Sequence, residues 1–436
     1  MHLRPVLGPI QLFFYAVGVI IGAGVYSVIG GVAGIAQSGL WLSFVIGALV
    51  ALLTGLSYAE MATSFPVAGA EYAYIRRAAP SADWAAFGVG AIILFGGAAT
   101  ATTVAVAFGG YMKAFVDAPI SISALGLLGI CTALSIIGMR ESSWANVLFT
   151  SIEIVGLLLV IAAGLMQENS ASKFVAPIFV EPQPGVIAGA AVLFFVYLGF
   201  EELANVVEEA RNPGRDVPRA MFWGLGITTA LYMLVALAVL SLASPSELAA
   251  SEAPLAMAIE KIWPRAGILL SAIALFATAN TVLITLIATS RLAFSMARDG
   301  ELPEMFGWLL PVRRTPWIAC ILAFVLASVL LPIENITILA GISSFSALLA
   351  FVAVNMTLIA LRYREPERPR PFRVPLSVGR VPILPVAAIA SILLLLGYFE
   401  WAVYLGGGIA IALSAIAFGA RKWWRRIRVP VKVRFE

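Results

Sequence analysis

Gly18-Val-Ile-Ile-Gly22-Ala-Gly24-Val-Tyr26 near the start of the chain, and Phe194-Phe-Val-Tyr-Leu-Gly199-Phe-Glu201-Glu202 near its middle, each interrupt a hydrophobic stretch long enough to cross a membrane. A break in such a stretch frees backbone N–H and C=O groups that lipid cannot satisfy. It persists only where the freed groups line a cavity or hold something polar. Two breaks in corresponding places therefore point to a transport site.

Composition names the surrounding solvent. Of 436 residues, 61% are hydrophobic and 12% charged, with a mean hydropathy of +0.98, whereas a water-soluble domain is about 25% charged. A transmembrane helix needs about 20 predominantly apolar residues. On that rule the chain reads as an all-α membrane protein of about twelve spans, at roughly 9–36, 40–64, 82–112, 122–139, 143–166, 184–207, 218–243, 265–297, 315–332, 335–361, 381–399 and 401–420. Barrel strands would alternate over about 10 residues instead. The chain 1–436 is expected to form a single polytopic domain. Its first span lacks a basic start followed by a small-residue cleavage site, so it is read as a permanent helix. Cys131 and Cys320 lie in separate spans, and neither a disulfide nor a metal site is expected of them.

Basic residues predict the orientation. With the N-terminus placed in the cytoplasm and the sides alternating, all Lys and Arg except Lys113, Lys173, Lys261 and Arg265 fall on the inside, the bias that the positive-inside rule describes. Both termini are then cytoplasmic. The pI of about 9.1 reports orientation and contact with anionic lipid, and nucleic-acid binding is a poor reading of it. The tail from 421 to 436, opening Arg421-Lys-Trp-Trp-Arg-Arg-Ile-Arg428, reads as an interfacial anchor of aromatic rings and snorkelling cations.

The two breaks differ chemically. Gly22-Ala23-Gly24 lacks bulky side chains, so its backbone can unwind and offer N–H donors at a half-helix N-terminus, which favours an anion such as a carboxylate. Phe195, Val196, Tyr197 and Leu198 would free carbonyls, which suit an ammonium group or a cation. Together they fit a zwitterion. Glu153, Glu201 and Glu202 lie within spans that hold no deep base, and intramembrane acids mark ion, proton or substrate paths.

These residues carry a family resemblance. Gly22-Ala-Gly24-Val-Tyr26 resembles the Gly-x-Gly-Ile-Phe motif in the first span of the amino acid, polyamine and organocation (APC) superfamily of secondary transporters. Tyr58-Ala-Glu-Met-Ala-Thr-Ser-Phe-Pro-Val-Ala-Gly-Ala-Glu-Tyr72 is similar to the loop after its second span. Phe194 through Glu202 with Glu208-Glu-Ala-Arg-Asn-Pro-Gly-Arg-Asp-Val-Pro-Arg219 resembles its sixth span and following loop, and Ser290 through Pro303 the end of its eighth.

The resemblance implies a leucine-transporter-like fold. Spans 1–5 (residues 9–166) and 6–10 (184–362) would form a 5+5 inverted repeat with helices 1 and 6 unwound, and residues 381–420 would add two C-terminal helices. It also implies a substrate site on Ile20, Ile21, Gly22, Ala23 and Gly24, facing Phe195, Val196, Tyr197, Leu198 and Gly199. The function expected is secondary active transport of amino acids by a plasma-membrane permease, as proton-coupled symport. A cationic amine or polyamine carrier, an exchanger, and an amino acid sensor on the same fold remain alternatives. The expected partners are a small-molecule substrate and membrane lipid, with no cofactor and either H⁺ or Na⁺ as the coupling ion.

Many relatives place a lysine in the fifth span where this chain aligns Glu153. Asn146, Thr150 and Glu153 share a helix face by their i, i+4, i+7 spacing, and Thr278, Thr281, Thr285 and Thr289 form a stripe on the eighth span. Three readings stand: Glu153 carries the coupling proton, its ionised form holds a cation in a seam with Thr150, Thr281 and Thr285, or it is a structural acid. Glu201, just past the second break, is the acid of its pair expected to face the cavity and, with Glu153, to be a coupling or proton site. Glu60, Glu71, Glu208, Glu209 and Asp216 are expected to pair with Arg76, Arg77, Arg211, Arg215 and Arg219 as an inner gate. Enzymatic chemistry is not expected: the only histidine is His2, and neither metal-ligand spacing nor a phosphate-binding loop occurs.

Overall fold

A computed structural model describes residues 7–66, 70–138, 143–167, 170–181, 183–204, 206–207 and 210–427. His2, Glu208, Glu209, the tail beyond 427 and the side chain of Asn146 lie outside the described residues. In chain order the helices are α1 (Pro9–Ile21), α2 (Gly24–Ala36), α3 (Leu40–Ser64), α4 (Ala70–Ala78), α5 (Asp83–Met112), α6 (Ile120–Ile137), α7 (Ser143–Leu165), α8 (Ser170–Phe179), α9 (Val186–Leu193), α10 (Pro213–Leu242), α11 (Pro245–Ala250), α12 (Pro254–Glu260), α13 (Ala266–Arg298), α14 (Trp317–Leu330), α15 (Ile336–Arg364), α16 (Ile383–Leu396) and α17 (Trp401–Ile427). A two-stranded antiparallel ribbon, β1 (Ser377–Val378) and β2 (Val381–Pro382), lies between α15 and α16.

Among the described residues nine stretches are long and apolar enough to cross a membrane, and Trp317–Ile333 and Ile383–Leu396 are shorter apolar helices. The first of the nine, Pro9–Ser64, is 56 residues long, because α1, α2 and α3 follow one another with only brief interruptions. Local chemistry sets several helix starts. Pro9, Pro213, Pro245 and Pro254 occupy first-turn positions where their missing N–H costs nothing. Asn335 caps α15 by accepting from the Ile338 N–H at 3.1 Å.

Hydroxyls inside the spans mostly turn back on their own helices: those of Thr102, Thr103, Thr132 and Thr278 donate to carbonyls four residues earlier. Polar contacts between helices are therefore the informative ones. The outward surface is apolar, with Leu49, Ile130, Leu158, Val329 and Ile416 exposed, as suits a face turned to lipid. Within the core, α5 packs against α13 and α15, and α10 against α1 and α3. The Phe200 ring, just after the second glycine break, sits 5.7 Å from that of Tyr58 on α3 and 5.3 Å from that of Phe351 on α15, which clamps the break between two helices.

Polar anchors join the helix ends. Glu60, fully buried at the end of α3, accepts from Arg362 Nε and Arg370 Nη1, both at 2.9 Å, from the Val374 N–H at 2.7 Å, and from Arg362 Nη2. Arg421 on α17 pairs with buried Glu301 and lies over the rings of Phe87 and Phe418. This corrects the tail reading at its first residue, whose charge is bound to a protein carboxylate.

Removing one partner of a buried ion pair leaves an uncompensated charge and costs roughly 3–5 kcal/mol, whereas an exposed pair contributes about 0–1 kcal/mol. Glu60→Ala should therefore lower the melting temperature of the detergent-solubilised protein by several degrees more than Arg77→Gln, which breaks the exposed Arg77–Glu365 pair. Equal losses would contradict the anchoring role of Glu60.

Candidate functional site

The α1 helix stops at Ile21. Gly22 adopts φ +34°, ψ −155°, in the positive-φ region open to glycine, and α2 resumes at Gly24. The first backbone bond inside α2 runs from the Ser27 N–H to the Ala23 carbonyl. The N–H groups of Gly24, Val25 and Tyr26 are therefore the donors that a helix start leaves without an intrahelical acceptor. The Ala23 N–H is already engaged, donating to Thr281 Oγ1 on α13 at 3.0 Å.

In the second break, α9 ends at Leu193 and a 3₁₀ turn covers Phe194–Tyr197. Leu198 is extended at φ −60°, ψ 137°, Gly199 stands at φ +119°, and a further 3₁₀ turn runs over Phe200–Ala204. The Gly199 N–H donates to Glu201 Oε2 at 2.8 Å, so Glu201 satisfies a donor of its own break. The Phe195 carbonyl accepts from the Leu198 N–H at 3.3 Å. Phe195, Val196 and Tyr197 are buried, and Leu198 is half-buried. The Tyr197 hydroxyl is spent on the Phe44 carbonyl of α3 at 2.9 Å.

The two breaks touch. A Cβ on Gly24 would stand 3.1 Å from Val196 Cα, and one on Gly199 would stand 2.7 Å from both Val19 Cγ1 and the Val19 carbonyl. One side chain also joins them: the Tyr232 hydroxyl of α10 is 2.9 Å from the carbonyls of Ile20 and of Ile21 and 3.4 Å from that of Val196. A phenol has one proton to donate, so these carbonyls share it, and two belong to the first break and one to the second.

Glu153 on α7 is buried beside this junction. Its backbone carbonyl accepts from the Tyr26 hydroxyl at 2.8 Å, and its carboxyl lies within electrostatic reach of the hydroxyls of Tyr26 and Tyr232. The Tyr111 hydroxyl on α5 in turn donates to the Tyr26 carbonyl at 3.0 Å. Thr150 is buried, but no hydrogen bond joins it to Thr281 or Thr285 among the described residues. Thr281 instead holds the first break, and the Thr285 carbonyl accepts from the Thr289 hydroxyl.

The remaining acids gather elsewhere. Glu71 accepts from the Tyr58 hydroxyl at 2.9 Å and lies within electrostatic reach of Glu201 and Glu202. Burial pushes the Glu71 carboxyl up to about 7, and the neighbouring Glu202 charge acts in the same direction. The expected gate pairing is corrected: Glu60 takes Arg362 and Arg370, Arg76 pairs with Asp299 at 2.7 Å, and Arg77 pairs with Glu365 at 2.9 Å. Sequence neighbourhood favours arginines close in the chain, whereas the fold brings partners from just past the ends of α13 and α15 to α4. Sequence reasoning missed Tyr232 altogether. Nothing marks it in the chain except a lone tyrosine in an otherwise apolar span.

Residues 7–417 match the family model described as amino acid permease. The chain is 28% identical over 432 residues to the branched-chain amino acid permease BcaP of Bacillus subtilis (strain 168), covering 92% of this chain and 89% of that protein. It is 27% identical over 436 residues to the methylthioribose transporter of the same organism, covering 94% and 92%. It is 32% identical over 389 residues to the vacuolar cationic amino acid transporter 2 of Arabidopsis thaliana, covering 83% and 60%.

Tyr232→Phe removes the shared donor and leaves buried carbonyls unsatisfied, at about 1–3 kcal/mol. Ligand binding by the purified variant should weaken roughly tenfold while the protein still folds; unchanged affinity would show that the bridge does not hold the site. Glu71 supplies a pH signature. Its pKa is raised on folding, so its contribution to stability is full below about 4.5 and is lost as pH rises through about 7. The melting temperature should fall between these values, and Glu71→Gln should flatten that fall; parallel curves would contradict the assignment.

Proposed function

Since the chain belongs to the amino acid permease family, we propose that it is a secondary active transporter that carries an amino acid across the plasma membrane by alternating access, in symport with protons. The observation that carries the reading is the contact between two interrupted helices at Gly24–Val196 and Gly199–Val19, bridged by Tyr232. The substrate carboxylate sits at the start of α2, on N–H groups from Gly24 to Tyr26, where the helix dipole favours an anion. The substrate ammonium sits against carbonyls of the second break, around Tyr197 and Leu198.

In this reading the 56-residue stretch Pro9–Ser64 divides at Gln37–Gly39 into two crossings. The shorter helices α14 and α16 also cross, which gives twelve. Residues 9–166 and 184–362 form the two inverted repeats, each opening on an interrupted helix, and both termini face the cytoplasm. The interruptions then stand at the midplane, where one repeat rocks against the other.

Glu153 carries the coupling proton. Its carboxyl lies within electrostatic reach of the hydroxyls of Tyr26 and Tyr232. Gaining or losing a proton there changes what these hydroxyls face, and Tyr232 in turn holds carbonyls of both breaks. The inner gate consists of the exposed pairs Arg76–Asp299 and Arg77–Glu365, each weak enough to open within a transport cycle.

Proteoliposome uptake tests the reading. With labelled leucine, lysine and putrescine supplied separately, and proton and sodium gradients imposed separately, an amino acid should accumulate under the proton gradient. A protonophore should collapse that accumulation. Glu153→Gln should abolish gradient-driven accumulation while sparing substrate exchange. Accumulation driven by sodium alone, or wild-type pH dependence in Glu153→Gln, would overturn proton coupling through Glu153.

A further inference from the structure

The connection between α15 and α16 walls an open cleft of about 400 Å³ lined by Arg362, Pro366, Glu367, Arg368, Arg370, Arg373 and Arg380. Five arginines and one acid, Glu367, thus share its lining. Three of the five are committed to the protein. Arg362 and Arg370 share Glu60, and Arg368 donates to the Ser64 carbonyl at 3.0 Å, pairs with Glu365 and stacks on the Phe65 ring at 4.0 Å. Arg373 and Arg380 are exposed and make no ion pair among the described residues, with Glu367 or with any other acid.

Like charges held this close repel, and burial together with the charges of Arg362 and Arg373 holds the Arg370 guanidinium below its ordinary value. The committed arginines fix the walls, and the two uncommitted ones keep whole donor forks free at the mouth. A planar fork donates two parallel hydrogen bonds to a carboxylate or a phosphate. Two free forks side by side on one cleft suit a dianionic oxyanion better than a single carboxylate.

We propose that this cleft is a binding site for a phosphate group, with Arg373 and Arg380 as its direct donors. Its source is either the headgroup of an anionic lipid or a free phosphate compound. The site is separate from the junction of the two glycine breaks and does not depend on what the protein transports. Through Arg362 and Arg370 it adjoins the Glu60 anchor, so an occupant stabilises the packing of α3 against the end of α15.

The test uses the purified full chain and reads melting temperature. One arm titrates pyrophosphate in detergent at constant ionic strength. The other compares nanodiscs of phosphatidylcholine with and without phosphatidylglycerol. At least one addition should stabilise the protein, and the arm that does so identifies the source. The double variant Arg373→Ala/Arg380→Ala should weaken that effect about tenfold or more, as expected for two lost charge-assisted bonds. The charge-matched variant Arg215→Ala/Arg219→Ala should keep it. No stabilisation in either arm, equal stabilisation in Arg373→Ala/Arg380→Ala, or equal loss in both double variants would overturn the proposal.

Discussion

A hydrocarbon solvent leaves no peptide group unpaired, and this constraint organises the molecule. Among the described residues helices answer it through most of each span, while near Gly22 and Leu198–Gly199 the chain must find partners from outside the helix ladder. Those partners are specific. Thr281 takes the Ala23 N–H, Glu201 takes the Gly199 N–H, and Tyr232 serves carbonyls of Ile20, Ile21 and Val196. What the protein leaves unsatisfied at the start of α2 is the donor set that an anionic group can use. The chemistry of the site is thus the remainder of a backbone account, and side chains such as Tyr232 and Thr281 decide how large that remainder is.

The same accounting separates permanent polarity from breakable polarity. Glu60 receives four donors in a buried setting, and Arg421, lying over two aromatic rings, holds buried Glu301. Opening either contact would strand a charge, so both act as struts. Arg76–Asp299 and Arg77–Glu365 are solvated pairs that water can replace at little cost. The alternating access proposed above would use both kinds: struts that keep each repeat rigid, and weak contacts that let the repeats part.

Legibility in the sequence followed physical scale. Hydropathy reveals helices because some 20 consecutive apolar residues leave a strong signal, and glycine marks the breaks because φ values of +34° and +119° are ones that other residues avoid. Long-range partners left no such trace. The arginines that hold Glu60 come from about 300 positions away, so a reading by neighbourhood paired it with the wrong charges. Tyr232 is one tyrosine in an apolar helix, with no spacing to distinguish it. Thr281 belongs to a threonine stripe on its helix, yet its contact is with the first break; a hydroxyl's partner depends on which backbone passes it, and periodicity carries no information about that.

In the proposed transport site the two interrupted helices together bind one zwitterion through main-chain groups. The most direct measurement is an experimental structure of the protein with the amino acid that it transports best. The substrate carboxylate should lie within hydrogen-bond distance of N–H groups of Gly24 to Tyr26, and its ammonium against carbonyls of the Phe195–Leu198 segment. A substrate bound away from both segments, or held by side-chain charges with these main-chain groups unengaged, would contradict it.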